Sequence, residues 1–365
     1  MTTNRKIKVL IVDDSAFYRQ SLIAMLRDCP DIEVIGSVAD GSEAMRFVLK
    51  QRPDVITLDL EMPQMDGFTF LRWLMRNKPI PVLVISSQSE ATSVFKALEL
   101  GAADFMAKPT KRPSLEIMNL QAELRLKIET IVKIPTEKIR TRLEEPGRLA
   151  ARYPEVLDRD RLHDRNRNGV NLVAIGASTG GPPAIQTIVT MIPKGFSAPF
   201  VIAQHMPAVF TRYFAERLDR LSQLEVKEAQ EGDMVEAGRV LIAPGGSHML
   251  FERRGDRVQV RIGASQSADK YVPSIDAMMV SAAEIYHENV LGVLLTGMGN
   301  DGKVGMKRIK EKGGTTIAEA EETAVIFGMP REAIKEGVVD HILPLSTIPE
   351  ALLKGFVGET HGRLE

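Results

Sequence analysis

The sequence predicts an α/β protein made of two doubly wound parallel-sheet domains. At 365 residues the chain is longer than a single hydrophobic core usually supports. Short apolar runs alternate with amphipathic segments before residue 134 and again after residue 170, and a charged, proline-containing stretch separates the two series. Because parallel strands need crossover connections, and helices are the usual ones, each series predicts a parallel sheet covered by helices.

The first series contains five strand and helix pairs, which predict a compact (βα)5 domain over residues 1–134. The candidate strands read IKVLIV, IEVIGSV, DVITLDL, PVLVIS and ADFMA. The candidate helices that follow them read SAFYRQSLIAMLRD, SEAMRFVLKQ, GFTFLRWLMRN, SEATSVFKALELG and SLEIMNLQAELRLKIETIV.

Residues 135–169 break the pattern and predict an interdomain linker. This stretch has three prolines, and between residues 137 and 167 nine Lys or Arg residues face seven Asp or Glu residues. Because the two signs largely cancel, the stretch favours a solvated linker with a fraying helix over a nucleic-acid-binding arm.

The second series, over residues 170–365, predicts a Rossmann-like domain with a β-hairpin insert. Strands LVAIGAS, PFVIAQH, VLGVLLTG and TTIAEA alternate with helices PPAIQTIVTMI, AVFTRYFAERLDRLS, KVGMKRIKEK and PREAIKEG. A short last helix, PEALLKG, completes the series. We assign RVLIAPG, HMLFER and VQVRIG, with a GD turn, to a β-rich insert that precedes helix SIDAMMVSAAEIY.

Composition narrows the class of protein. Lys plus Arg (47) nearly equal Asp plus Glu (48), which gives no electrostatic reason to expect a nucleic acid or an anionic membrane as partner. The single cysteine, Cys29, excludes an internal disulfide framework. The apolar run near the start is too short for a signal peptide, and no run approaches the roughly 20 apolar residues of a membrane span. We therefore expect a cytoplasmic protein without direct membrane insertion.

Polar residues stand at the ends of the strands in the first domain. Asp13 and Asp14 end the first strand, Asp59 the third, Ser86 the fourth and Lys108 the fifth. Each could be an ordinary strand-end cap, but ligands of parallel sheets bind at this edge. Clustered carboxylates suit Mg²⁺, and Asp59 becomes a candidate nucleophile toward a phosphoryl group, with Lys108 neutralising charge and Ser86 donating a hydrogen bond.

The motifs VDDS, LDLEMPQMDG, VISS and AKP resemble those of the receiver domain of two-component response regulators, over roughly residues 5–125. The resemblance implies that Asp13, Asp14 and Asp59 bind Mg²⁺ and that Asp59 accepts phosphate from a histidine kinase. Phe105 stands where receivers often have another aromatic switch residue. Receivers drive many different outputs, so this half alone does not decide the function.

The segment GASTGG, which contains Ser178, allows several interpretations. A dinucleotide site would need the spacing G-x-G-x-x-G and an acid after the next strand, where Gln204 and His205 stand instead. A phosphate-binding P-loop would need a following Gly-Lys-Ser/Thr, which is missing. A tight turn capped by a serine remains possible for any single glycine-rich turn between a strand and a helix.

His205 and Asp301 favour a catalytic interpretation, because both residues, like Ser178, follow strands at the same edge. A serine hydroxyl becomes nucleophilic when a base removes its proton, and a carboxylate orients that base. Taken alone, His205 could be a strand-end histidine and Asp301 a turn former. His248 in APGGSHM is a rival base. Backbone N–H groups of TGG and GMGN could serve as an oxyanion hole.

Residues 170–355 resemble the catalytic domain of the chemotaxis-specific protein-glutamate methylesterases through IGASTGGP, QHMP, IAPGGSHM, YVPSIDAMM and LLTGMGNDG. The resemblance implies a hydrolase with a triad of Ser178, His205 and Asp301, oxyanion donation near Met298 and participation of Thr179. It implies no cofactor in this domain.

The combined resemblance implies hydrolysis of glutamate γ-methyl esters on methyl-accepting chemotaxis receptors, with deamidation of receptor glutamines as a second activity. Phosphorylation of Asp59 by a chemotaxis histidine kinase is expected to relieve blocking of the active site by the receiver. The alternative is a non-enzymatic phosphorylation switch whose C-terminal domain binds a nucleotide or a partner protein.

Overall fold

The computed structural model describes residues 5–87, 91–108, 115–135, 138–139 and 170–354. The chain divides into two compact units, Met1–Gly147 and Arg148–Glu365. The linker predicted at residues 135–169 lies outside the described residues except for residues 135, 138 and 139. Both units contain a parallel sheet, which confirms the predicted class of two doubly wound α/β domains.

The first unit is built around a five-stranded parallel sheet in the order β2-β1-β3-β4-β5. The four residues at the carboxyl end of β1 and all of β3 are fully buried, as expected for central strands with helices on both faces. The strands are β1 (Ile7–Val12), β2 (Ile32–Val38), β3 (Val55–Leu58), β4 (Val82–Ser86) and β5 (Asp104–Ala107).

Five helices connect and cover these strands. Asp40 begins the second helix by accepting hydrogen bonds from two backbone N–H groups, and Asp66 accepts one from Thr69 at the start of the third. The helices are α1 (Ala16–Arg27), α2 (Gly41–Lys50), α3 (Gly67–Asn77), α4 (Ala91–Glu99) and α5 (Leu115–Ile131).

The second unit contains a seven-stranded parallel sheet in the order β14-β13-β12-β6-β7-β9-β8. The chain runs outward from β6 through β7 and then returns to β12 on the other side of β6, so the strand order reverses beside β6. Such a reversal opens a crevice at the carboxyl ends of the strands. The strands are β6 (Leu172–Ala177), β7 (Phe200–Gln204), β8 (Glu225–Glu228), β9 (Arg239–Ile242), β12 (Val290–Leu294), β13 (Thr315–Glu319) and β14 (His341–Leu343).

Within residues 170–354, six α-helices accompany this sheet. One of them, α8, lies against β6 so closely that a Cβ atom at Gly176 would overlap Ile275, the first residue of the helix. The helices are α6 (Gly181–Thr190), α7 (Ala208–Leu221), α8 (Ile275–Tyr286), α9 (Lys303–Glu311), α10 (Met329–Lys335) and α11 (Ile348–Lys354).

The predicted β-rich insert is smaller than expected. Only β10 (Ser247–Arg254) and β11 (Arg257–Ala264) form the separate antiparallel hairpin. The segment RVLIAPG was wrongly assigned to the insert, because its strand β9 pairs with β7 and β8 inside the main sheet. The hairpin packs its apolar face on α8 through residues such as Met249 and Met278, which both belong to one buried core.

No helix that the structure describes combines the length and the apolar character that crossing a membrane requires.

Candidate functional site

Ser178 and His205 follow neighbouring strands at the same level of the sheet. Ala177 at the end of β6 is paired with Gln204 at the end of β7. The His205 backbone N–H donates to the Ala177 carbonyl over 3.0 Å, and the Ser178 N–H donates to the Thr296 carbonyl, beyond the end of β12, over 3.0 Å. The hydroxyl and the imidazole therefore start from adjacent positions beside the crevice where the strand order reverses.

Asp301 contacts the imidazole directly. The distance between His205 Nε2 and Asp301 Oδ2 is 2.8 Å, and the two side chains are 14% and 2% exposed. Because an ionised carboxylate can only accept hydrogen bonds, Nε2 carries the proton and Nδ1 keeps the lone pair. Nδ1 is then the nitrogen that can act as a base.

The amino end of α8 surrounds the Asp301 carboxylate with donors. Asp301 accepts the N–H of Ile275 at 2.8 Å, the N–H of Asp276 at 2.9 Å and the hydroxyl of Ser274 at 3.2 Å. Burial by itself would raise the pKa of Asp301, but the hydrogen bond and charge of His205 and the helix N–H groups lower it below its ordinary value. Asp301 therefore stays ionised, as a residue that orients a catalytic histidine must.

Asp276, in contrast, lies in surroundings that disfavour its ionised form. Its Oδ1 accepts the Gly305 N–H over 2.7 Å. Burial and, to a lesser extent, the negative charge of Asp301 raise the pKa of Asp276 to about 6. Of these two neighbouring carboxyl groups, Asp301 is therefore the one that keeps its negative charge.

Backbone conformation and close packing explain why glycine occupies the two positions that follow Thr179. Gly180 has a φ of +80° and caps α6, and a Cβ atom at Gly181 would overlap Gln204 Oε1. Gln204 Nε2 in turn donates to the carbonyls of Ser178, over 2.9 Å, and His205, over 3.0 Å. One buried amide thus ties together the two chain segments that carry the hydroxyl and the imidazole. In the sequence, Gln204 is notable only because it stands where a dinucleotide site would have an acid.

Thr179 and Met298 both lie close to Ser178. Thr179 is buried, and its carbonyl accepts the Thr296 hydroxyl over 2.9 Å. Met298 is partly buried and follows Gly297, where a Cβ atom would approach Ser178 Cβ to 2.8 Å. The loop after β12 therefore touches the turn that contains Ser178.

His248, the rival base, has both ring nitrogens engaged. Its Nε2 lies 2.9 Å from Asp269 Oδ2, and its Nδ1 accepts the Ser274 N–H over 3.1 Å. No lone pair of His248 is left for a substrate proton. His248 therefore has a structural role: it joins β10 to the segment that leads into α8.

The residues predicted for phosphoryl transfer are brought together in the first unit. Single oxygen atoms of Asp13, Asp14 and Asp59 lie within 4.8 Å of one another. Lys108 Nζ lies 2.7 Å from Asp59 Oδ2 and 3.4 Å from Asp13 Oδ2. The backbone N–H of Lys108 also donates to the carbonyl of Ser86, over 2.8 Å, and this bond ties the ends of β4 and β5 together.

This donor set fits a hard divalent cation. Burial raises the pKa of Asp13, and the charge of Lys108 opposes this shift without cancelling it, so a cation bound beside Asp13 would favour its ionised form. Asp14 is exposed, which leaves one side open to water and phosphoryl oxygens. A Cβ atom at Gly67 would overlap the Asp59 carbonyl, so the MDG glycine allows α3 to begin directly against this site.

Comparisons with known proteins cover nearly the whole chain. The profile of the CheB methylesterase family matches residues 173–352, and that of the response regulator receiver domain matches residues 9–118. The chain is 50% identical over 361 residues to protein-glutamate methylesterase/protein-glutamine glutaminase 3 of Geobacter sulfurreducens, covering 96% of this chain and 97% of the relative. It is 44% identical over 355 residues to protein-glutamate methylesterase/protein-glutamine glutaminase 1 of Myxococcus xanthus, covering 96% and 98%.

The second half of the chain aligns with a solved structure. The crystal structure of the Thermotoga maritima CheB methylesterase catalytic domain has a TM-score of 0.50 and 44% sequence identity, covering 51% of this chain and 98% of that chain.

Proposed function

Since this chain belongs to the CheB methylesterase family, we propose that Ser178, His205 and Asp301 are the triad with which it hydrolyses glutamate γ-methyl esters. The protein is a protein-glutamate methylesterase and protein-glutamine glutaminase with a receiver domain, acting in chemotaxis. The observation that carries the residue assignment is the 2.8 Å contact between His205 Nε2 and Asp301 Oδ2 beside the turn that holds Ser178.

Acylation of Ser178 is the first half of the proposed reaction. His205 Nδ1 takes the Ser178 hydroxyl proton while Oγ attacks the ester carbonyl carbon. The tetrahedral intermediate collapses with cleavage of the bond to the methoxy oxygen, and the imidazolium gives its proton to that oxygen, so methanol leaves. Asp301 stabilises the imidazolium through both steps.

Deacylation reverses these roles with water. His205 removes a proton from a water molecule, which attacks the glutamyl ester of Ser178, and the serine leaves with the returned proton. The product is a glutamate carboxylate. With a glutamine side chain the same sequence releases ammonia in place of methanol, because the amide reaches a similar tetrahedral intermediate.

Thr179 and Met298 are proposed to stabilise the negative oxygen of this intermediate. The support is their position, since one follows Ser178 directly and the other follows Gly297, whose Cα lies against Ser178. Losing one oxyanion donor typically costs about 10²–10³ in rate.

The receiver is proposed to control this activity through Asp59. Asp13, Asp14 and Asp59 would hold Mg²⁺, which would neutralise charge on the carboxylates and the phosphoryl oxygens. Lys108 contributes a second positive charge beside Asp59, at 2.7 Å. Ser86, at the end of β4, is proposed to donate a hydrogen bond to a phosphoryl group. The phosphodonor is proposed to be a chemotaxis histidine kinase.

The substrates are proposed to be methyl-accepting chemotaxis receptors, and the location the cytoplasm, where the cytoplasmic helices of those receptors carry the methylated glutamates. No nucleic-acid partner is proposed, since Lys plus Arg (47) and Asp plus Glu (48) balance.

The test is methanol release from membranes that contain methylated receptors. The full-length protein should release methanol slowly alone and faster with a small-molecule phosphodonor and Mg²⁺. EDTA should remove the stimulation and leave the basal rate, because the acid cluster found among the described residues lies in the receiver. Absence of methanol in every condition, together with tight binding of NAD or ATP, would instead support a non-enzymatic switch.

A further inference from the structure

The ring of Tyr271 lies flat against the imidazole of His205. The ring centroids are 4.8 Å apart, and the planes differ by only 5°. A parallel stack of this kind fixes the plane of the imidazole, because turning it would drive its edge into the tyrosine ring. His205 is thereby held by Asp301 at Nε2 and by Tyr271 at its face.

The tyrosine also contacts the loop that carries Met298. A Cβ atom at Gly299 would overlap the Tyr271 hydroxyl oxygen, so only glycine lets the loop pass this close. Gly299 has a φ of +92°, which residues other than glycine rarely adopt. The tyrosine therefore spans from the base to the loop that flanks Ser178.

The segment that carries Tyr271 is anchored on both sides. Before it, Asp269 bonds to His248 on β10 over 2.9 Å. After it, the Ser274 backbone N–H donates to the other nitrogen of the same imidazole, and its hydroxyl donates to Asp301. These contacts explain the pairing of buried His248 with the more exposed Asp269, which the reaction itself does not use. The pair fixes the tyrosine segment against the hairpin and the amino end of α8.

Two charged groups lie near the stacked rings. The Asp301 carboxylate bonds to His205, and Lys270 Nζ lies 4.9 Å from the Tyr271 ring centroid. The face of an aromatic ring is negative and attracts a cation. When His205 takes the serine proton it becomes a cation against this face, so the stack is stronger after proton transfer than before it. Interactions that strengthen in this way accelerate the chemical step.

We propose that Tyr271 is a positioning residue of the esterase, which orients the His205 imidazole and stabilises the imidazolium formed when Ser178 attacks. The proposal rests on the proposed triad. The face of the ring has this effect, and the hydroxyl contributes only its contact with Gly299.

The test compares Tyr271→Phe with Tyr271→Leu in the full-length protein, using methanol release from methylated receptor membranes. Phenylalanine keeps the aromatic face, whereas leucine keeps apolar bulk without it. We expect Tyr271→Phe to retain kcat within about threefold and Tyr271→Leu to lose about tenfold or more in kcat, with KM nearly unchanged. Tyr213→Leu, a partly buried tyrosine on α7, is the matched control and should keep wild-type kinetics.

Equal kcat values for the Phe and Leu variants would overturn the proposal, as would a Leu variant in which only KM rises, since that result describes a substrate contact. Circular dichroism of both variants checks that they fold. If the wild-type protein is active and the Leu variant is unaffected, only the role proposed for Tyr271 is rejected. If the wild-type protein is inactive, the proposed function itself is rejected.

Discussion

Two neighbouring aspartates at the candidate active site differ in how readily they ionise. Asp301 accepts N–H groups at the amino end of α8 and bonds to His205, and these interactions outweigh its burial. Asp276 lies in the first turn of the same helix and is disfavoured as an anion by burial and by Asp301 itself. The amino end of this helix therefore carries one carboxylate that keeps its negative charge and a second whose ionisation is opposed by burial and by Asp301.

Replacing Asp276 by asparagine should make stability less dependent on pH. The folded-state pKa of about 6 exceeds the ordinary value of 3.8, so the folded protein binds the proton more tightly than the unfolded chain does. The stabilisation is complete below the unfolded-state value and is lost as the pH rises through about 6. The asparagine side chain keeps an oxygen that can accept the Gly305 N–H but cannot ionise.

The free energy of unfolding of Asp276→Asn, relative to that of the wild type, should therefore rise between about pH 4 and about pH 8. The expected rise is on the order of 1 kcal/mol after allowance for partial solvent exposure. Urea unfolding followed by circular dichroism measures it. Asp256→Asn, at an exposed position in the hairpin turn, should show no such gain. A difference that stays constant with pH would contradict the assigned cause.

At the scale of elements, the site depends on how closely chain segments approach at the strand ends. The turn after β6 passes beside the Gln204 amide and the loop after β12 passes beside Ser178, and Gly181 and Gly297 stand at these contacts. Side chains there would push Ser178 away from His205. The glycine pattern of GASTGG therefore reflects packing of the serine turn rather than phosphate binding.

Gly181→Ala should lower both activity and thermal stability. Its Cβ atom would overlap Gln204 Oε1 and approach Ala177 Cβ to 2.7 Å, so the turn or the amide must shift. Overpacking of this kind costs about 1–3 kcal/mol. The midpoint of thermal inactivation of the esterase should fall by several degrees. Gly195→Ala, where a new Cβ atom meets nothing within 4 Å, should leave the midpoint in place. Equal midpoints for the two variants would refute the steric argument.

The sequence predicted the central strands well because they are apolar and buried. It missed β8 and β14, which lie at the two edges of the second sheet. The first reads EVKE and the second has only three residues, so neither shows an apolar run. It also placed β9 in the insert, because strand order depends on tertiary pairing that local pattern does not contain.

The predicted site residues came from chemistry at strand ends, whereas the supporting residues had weaker signals. Tyr271 and Ser274 lie in YVPSIDAMM, where the serine before an apolar helix does mark a helix start. Nothing local indicates that this helix start faces Asp301, or that the tyrosine stacks on a histidine 66 positions earlier in the chain. Those contacts exist only after the hairpin has placed the segment.

At the scale of the whole molecule, two parallel sheets use the same edge for different chemistry. In the first unit carboxylates and Lys108 surround Asp59, where charge must be neutralised for phosphoryl transfer. In the second unit the Asp301 carboxylate is balanced by His205 and helix N–H groups, with Ser178 beside them. Each unit thus contains its own candidate set of reacting groups, as expected where a receiver domain and a methylesterase domain are joined in one chain.

The most direct measurement is methanol release from methylated receptor membranes by Ser178→Ala, beside the wild type and Ser197→Ala, an exposed serine that follows α6. The account predicts that Ser178→Ala loses essentially all activity, with or without a phosphodonor, while Ser197→Ala matches the wild type. Methanol released by a folded Ser178→Ala protein at the wild-type rate would contradict it.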